Sequence, residues 1–200
     1  ANSKSVGHLF AVPIIKDYLQ TARSLLSPCD PTREQANDLA QDAWATYGSS
    51  GTGIDAEAIS YALIDGADAG RSSTILATSR NLSGCDLAGA TWVGADTDPD
   101  NDAAMAGLTA GQGQLVTSDG AARQSDNADF ASGGLAITAH VNSRGGTYKG
   151  SASTVVFGCS PGPIVAQIVR LDQPAAAGGR GDYLNIAEVE VFSDGANVAR

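Results

Sequence analysis

Tyr183-Leu-Asn-Ile-Ala-Glu-Val-Glu-Val-Phe192 is the stretch whose reading decides the fold. Its alternation sets Ala187, Val189 and Val191 on one face and Ile186, Glu188, Glu190 and Phe192 on the other, the period-two pattern of a strand with one apolar and one wetter face. Toward the N-terminus, short apolar runs recur at Ser73–Thr78, Gln114–Thr117, Leu135–Val141, Ser153–Phe157 and Ile164–Leu171, separated by Gly, Ser, Asn and Asp, and each reads as a strand. A charged fraction of only 17% with 24 glycines agrees with a β-rich body.

Before Gly70 the period lengthens. Phe10 to Leu26 carries an apolar stripe of Ile14, Leu19, Ala22, Leu25 and Leu26, with Pro13 in its first turn, and predicts a helix. Asp30-Pro31 reads as an N-cap with Pro at the first helical position, opening a second helix that runs to Tyr47 and buries Leu39, Ala43 and Trp44. A third is predicted from Asp55 to Gly66, with Ala58, Ile59, Ala62 and Leu63 on one face. The expected fold is therefore α+β: a helical segment over 1–70 packed on a mainly antiparallel β-sandwich of jelly-roll type over 71–200.

Two hundred residues with 42% hydrophobic side chains are enough to build a core. The formal net charge is -10, from 22 acidic and 12 basic residues, so nucleic-acid phosphates are repelled, and the scattered basic residues form no patch for an anionic membrane. The longest apolar stretch, around Ser153 to Leu171, is interrupted by Gly158, Pro161, Gly162 and Pro163, well short of the ~18 to 20 residues of a spanning helix. No membrane insertion is expected. The chain begins at Ala1 without Met, which reads as Met trimming or leader removal and permits export. Cys29, Cys85 and Cys159 include no Cys-x-x-Cys; they allow one disulfide plus a spare thiol or three buried thiols, and a domain of this size favours the thiols.

Several catalytic patterns fail on inspection. Gly158-Cys-Ser160-Pro161-Gly162 matches a nucleophile elbow, but Pro161 has no N–H for an oxyanion hole and no histidine follows Ser160. His8 and His140 lack metal-ligand spacing. Gly145 to Gly150 has the span of a phosphate loop with Ser151 in place of its lysine. The densest candidate site is Asp96-Thr-Asp98-Pro-Asp100-Asn101-Asp102, where the carboxylates of Asp96, Asp98, Asp100 and Asp102 offer oxygen ligands for Ca²⁺. The alternative is a solvated turn whose side chains cap the nearby backbone.

Arg80-Asn-Leu-Ser-Gly84, Cys85-Asp-Leu-Ala-Gly89 and Ala90-Thr-Trp-Val-Gly94 are three five-residue units with Leu82, Leu87 and Trp92 at the centre. Residues 80–95 thus resemble the pentapeptide-repeat family, which implies central side chains pointing inward; three units form less than one coil, so a local ladder of β-turns is expected. Ile168-Val-Arg170-Leu171 followed by Tyr183–Phe192 resembles the closing strands of the discoidin, or coagulation-factor type C, family of galactose-binding-like sandwiches. That resemblance implies a β-sandwich of the kind used by adhesive and surface proteins. The expected function is a non-catalytic structural or binding module of an extracellular, virion or other surface assembly, with other subunits or glycans as partners and Trp92, Tyr148 and Tyr183 as aromatic candidates. The alternatives are a linker subunit of a larger intracellular or lumenal complex, docking through Phe10 to Leu26, and a hydrolase using paired carboxylates.

Overall fold

The computed structural model describes residues 6–48, 52–146 and 150–159, together with the backbone of Phe192–Ser193 and Ala196–Asn197. The chain divides into two units, Ala1–Ser160 and Pro161–Arg200. In the second, Phe192–Ser193 and Ala196–Asn197 pair as a two-stranded antiparallel ladder. The expected strands at Ile164–Leu171 and over most of Tyr183–Phe192 lie outside the described residues.

The first unit is α+β. Its single helix expected from Phe10 to Leu26 is three pieces: α1 (Val6–Phe10), α2 (Pro13–Leu19) and a 3₁₀ turn at Ala22–Leu25. Pro13 opens α2 and holds Val12 in an extended conformation, as a residue before proline requires. Gln20 ends α2 at φ 64°. The second expected helix begins as a 3₁₀ turn at Pro31–Arg33, continues as α3 (Glu34–Asp42) and ends in a 3₁₀ turn at Trp44–Thr46. Its buried face is Asn37 and Ala40, whereas Leu39, expected in the core, is 65% exposed.

The third expected helix is not formed. Asp55 caps Glu57 N at 3.1 Å, but the 3₁₀ turn stops at Ala58. Ile59 is already extended, and Tyr61–Leu63 is strand β1, because a β-branched residue and a free sheet edge outweigh one helical turn. Gly66 serves close packing, since a Cβ there would lie 2.2 Å from the Ser153 carbonyl oxygen. The strand β2 (Ile75–Ser79), β3 (Gln112–Thr117) and β4 (Ala122–Asp126) complete one antiparallel sheet in the order β1-β2-β3-β4. Among the described residues of this unit the sheet is one four-stranded layer, in which β4 is an edge that hydrophobic patterning misses: of its five residues only Ser125 is buried.

Leu135–Asn142, expected as a strand over Leu135–Val141, is helix α4. Ala136, Ile137 and His140 are its buried residues, a helical spacing, while Leu135 is 83% exposed. Ser153–Phe157 is not a strand but a bridging segment: Val155 pairs with Asp86 and Val156 with Ile64.

Two hydrophobic clusters organise the unit. One joins the inner face of the sheet to Leu82, Leu87, Trp92, Phe130, Ile137 and Val156; the other joins Ala11, Ala22, Leu25, Ala40, Ile54, Ala58 and Ile59. Leu82, Leu87 and Trp92, the centres of the five-residue units, all enter the first, and Leu82 bridges to Trp92. The Trp92 ring lies flat over β3 because position 113 is glycine; a Cβ there would stand 2.2 Å from the indole.

Candidate binding face

The register of the sheet determines which side chains face away from the core. Thr78 pairs with Leu115 and both are buried, so alternation turns Ala77, Gln114 and Val116 to the opposite face. Across β4, Ala122 pairs with Val116 and Gln124 with Gln114, which carries that face to the sheet edge. Small residues at its centre, bordered by Tyr61, Leu108, Gln114 and Gln124, leave a shallow trough of about 560 Å³. Tyr61 also packs against the helical cluster, so its ring is fixed at one end of the trough.

Arg123 borders the trough at β4, and its charge is already matched. Its Nη1 and Nη2 donate to Asp129 Oδ2 and Oδ1 at 2.8 and 3.0 Å. Ser125 Oγ donates to the same carboxylate at 2.7 Å and accepts from Trp92 Nε1 at 3.3 Å. The Arg123 hydrogen bonds, opposed in part by burial and aided by Ser125, hold the Asp129 carboxyl below its ordinary pKa. The trough therefore offers amides, a phenol and apolar surface, while the register that pairs Arg123 with the inward-facing Leu115 sets the neutralised Arg123–Asp129 pair toward the opposite face. Such a surface suits a polar uncharged ligand or the side chains of a partner protein.

In the aspartate loop the side chains of Asp96, Asp98 and Asn101 make hydrogen bonds within the folded chain. Asp96 Oδ1 accepts from Ala110 N at 2.7 Å, Asp98 Oδ2 from Asn101 Nδ2 at 3.0 Å, and Asn101 Oδ1 from Ala103 N at 2.9 Å. Asp102 contributes its backbone carbonyl to Arg80, and Asp100 is exposed. Among the described residues no group of three or more His, Cys, Asp or Glu side chains converges as metal ligands.

Asp30 holds the N-cap position read from the sequence but makes no side-chain cap bond; its carboxylate forms a buried ion pair. Its side chain is fully buried and receives Arg80 Nε at 2.7 Å and Nη2 at 2.8 Å. Burial opposes its ionisation, but the Arg80 bonds and Thr32 outweigh burial and lower the pKa. His140 is equally committed. Its Nδ1 accepts from Ile75 N at 2.9 Å, so the proton resides on Nε2, which donates to Ser153 O at 2.7 Å. Burial pushes the imidazole pKa down. Cys85 and Cys159 form a disulfide with Cα atoms 5.4 Å apart, which corrects the expectation of three thiols; Cys29 is the free one. Cys159 of the elbow-like pentapeptide is thus a bridge, while Ser160, Pro161 and Gly162 lie outside the described residues.

Trp92 is only 2% exposed and is core, not a ligand platform. Tyr148 and Tyr183 lie outside the described residues, and Tyr61 replaces them as the aromatic at the sheet face. Sequence reasoning missed the trough because it depends on cross-strand register. The available signal was the run of small residues and glutamines at alternate positions of β3 and β4. No family model, curated protein or solved structure matches the chain.

Proposed function

We propose that the chain is a non-catalytic structural or binding module of an extracellular or other surface assembly, using the outer face of the sheet to engage partner subunits or glycans. The observation that carries this reading is the trough itself, a recessed surface on a rigid sheet with amide and aromatic borders. The disulfide supports an oxidising, extracellular setting, and no helix among the described residues is long and apolar enough to cross a membrane. The scaffold proposed for the module is a β-sandwich, of which the four-stranded sheet is one layer.

The hydrolase reading needs a carboxyl raised toward neutrality to act as general acid. Among the described residues, Asp30, Asp119 and Asp129 are shifted down, not up, so none of these three supplies such an acid. The linker reading has its own support: Ile14 and Tyr18, one turn apart on α2, are 64% and 86% exposed. Calcium is the ion this reading assigns to Asp96, Asp98, Asp100 and Asp102 after Asp96 and Asp98 leave their hydrogen bonds to Ala110 N and Asn101 Nδ2, and calorimetric titration decides it.

The main test is a glycan array, with light scattering of the full chain alongside candidate subunits. Loss of two hydrogen bonds of about 1 kcal/mol each predicts a drop in affinity of more than roughly tenfold for the Gln114→Ala/Gln124→Ala double variant. Unchanged binding by that variant would remove the trough from the mechanism, and a chain that binds neither subunits nor glycans would end the proposal.

A further inference from the structure

Asn81-Leu82-Ser83 has the Asn-x-Ser pattern of a site for N-linked glycan transfer. In the folded chain Asn81 is completely buried. One Nδ2 hydrogen reaches the Val93 carbonyl at 2.9 Å, the other reaches the Gln112 carbonyl at 2.8 Å, and Oδ1 accepts from Ser79 Oγ at 2.7 Å. The flanking residues are fixed too: Leu82 is buried against Trp92, and Ser83 Oγ accepts from Thr91 N at 2.9 Å.

Glycan transfer joins the anomeric carbon of a lipid-diphosphate-linked oligosaccharide to Asn Nδ2. The sugar–phosphate bond breaks, the lipid diphosphate leaves, and Nδ2 gives up one of its two protons. At Asn81 both hydrogens bind buried carbonyls, so the product amide must abandon either Val93 or Gln112 and leave an acceptor unsatisfied inside the protein. The attached sugar would also have to occupy space between β3 and residues 80–94 that protein atoms fill. Modification at Asn81 and this fold exclude one another.

The disulfide adds an independent requirement, because Cys85–Cys159 needs an oxidising compartment to form and persist. We infer that the chain matures where thiols are oxidised but Asn-x-Ser sites do not receive glycans, so that Asn81 enters the fold unmodified. This inference rests on Asn81 and the disulfide and is independent of what the sheet face binds.

The experiment is to express the full chain in a eukaryotic secretory line and in a bacterial periplasm. Peptide mass mapping reads occupancy of Asn81 and the Cys85–Cys159 bridge, and limited proteolysis reads folding. The periplasmic product is expected to be unmodified, bridged and protease-resistant. The secretory product is expected to carry the glycan, lack the native bridge and digest rapidly, with rescue by Ser83→Ala, which removes the pattern and keeps Asn81. Should Ser83→Ala itself fold poorly, blocking synthesis of the lipid-linked donor supplies the rescue arm. A glycosylated chain with the native bridge and full protease resistance would overturn the inference. So would a secretory line that delivers folded wild-type chain with Asn81 empty, since glycosylating compartments would then be no barrier.

Discussion

In the sheet region the core is made of large side chains, with Ile75, Leu87, Trp92, Leu115 and Phe130 at most 2% exposed and the Trp92 and Phe130 rings 5.3 Å apart. In the helical region the buried cluster is mostly alanine, with Ala11, Ala22, Ala40 and Ala58 beside Leu25, Ile54 and Ile59. Each alanine removes little apolar area from water, and α1, α2 and α3 contain 5, 7 and 9 residues, shorter than the ~12 to 15 at which isolated helices become marginal. What the helical region lacks in burial it recovers through polar ties. Asn37 Nδ2 donates to Ala22 O and Ala58 O at 2.8 and 2.9 Å, and Asp30 is anchored to Arg80 beyond the end of β2. The sheet region is held by its own core and a covalent bridge; the helical region is held by its attachment.

Removing the covalent bridge is the largest way to break this contrast. A cross-link spanning 74 residues restricts the unfolded chain by about 4 kcal/mol in the loop-entropy account. The Cys85→Ser/Cys159→Ser variant should lose about that much in urea unfolding, with sheet amides losing hydrogen-exchange protection. Protection lost only in the helices would mean that the bridge does not secure the sheet.

Cutting the attachment is the next largest. Asp30→Ala leaves the Arg80 guanidinium, 11% exposed, without its carboxylate, a change expected to cost about 3 kcal/mol. The loss should appear first as faster exchange at Ala22 and Ala58 while Leu115 in β3 stays protected. Equal loss at all three sites would show one cooperative core in place of two regions with different supports.

The contrast also explains what was legible in the sequence. β3 was readable because its buried residues alternate, β2 was readable from its short apolar run although a register shift between Ile75 and Ala77 interrupts the alternation, and the Asp30-Pro31 start of the second helix marked the right turn of chain. Asp30 is the N-cap residue the sequence marked, but its carboxylate binds Arg80, far along the sequence, and makes no bond to a helix N–H. The same long-range control decides the misses. Leu135-Ala-Ile-Thr-Ala-His-Val141 is apolar enough for either a strand or a helix, and His140 joins it to Ile75 and Ser153 only as a helix. β4 has no apolar face to announce it, and β1 replaced a predicted helix once β2 offered pairing at Ser79, Thr78 and Ala77. The trough exists only after Ala77, Val116 and Ala122 come into register from three strands. The aspartate loop was visible as a cluster, but its hydrogen bonds to Ala110, Asn101 and Ala103 are properties of the folded turn.

Acid sharpens the comparison with a smaller effect, because the two regions carry titratable groups with different windows. The folded-state pKa of His140 lies below its ordinary 6.5, so as pH falls the unfolded chain takes up the proton first. Stability from His140 is complete above pH 6.5 and declines below it, by about 1.4 kcal/mol for each pH unit between the unfolded and folded pKa values. Asp30 is depressed from 3.8, so its contribution is retained above that pH and declines only below it. Thermal melts between pH 7 and 5 should therefore lose stability in wild type and show a flatter profile in His140→Gln, whatever that variant's absolute stability. A parallel decline in the two proteins would assign the acid sensitivity to another group.

The smallest expected effect on folding is also the most direct test of what the helical region is for. Ile14 and Tyr18 present one exposed apolar face on α2, and α2 has no buried residue of its own. Replacing both with serine should change unfolding free energy by less than about 0.5 kcal/mol per site, as for surface substitutions that break no buried contact. If that face docks the module into an assembly, the double variant should remain a folded monomer while losing association with the subunits that wild type binds in light scattering. If association persists, assembly is left to the sheet face, and the helices serve the fold through Asp30 and Asn37 alone. A large loss of stability would instead mean that α2 is integral to the alanine-rich core, and the two regions would be less separable than their clusters indicate.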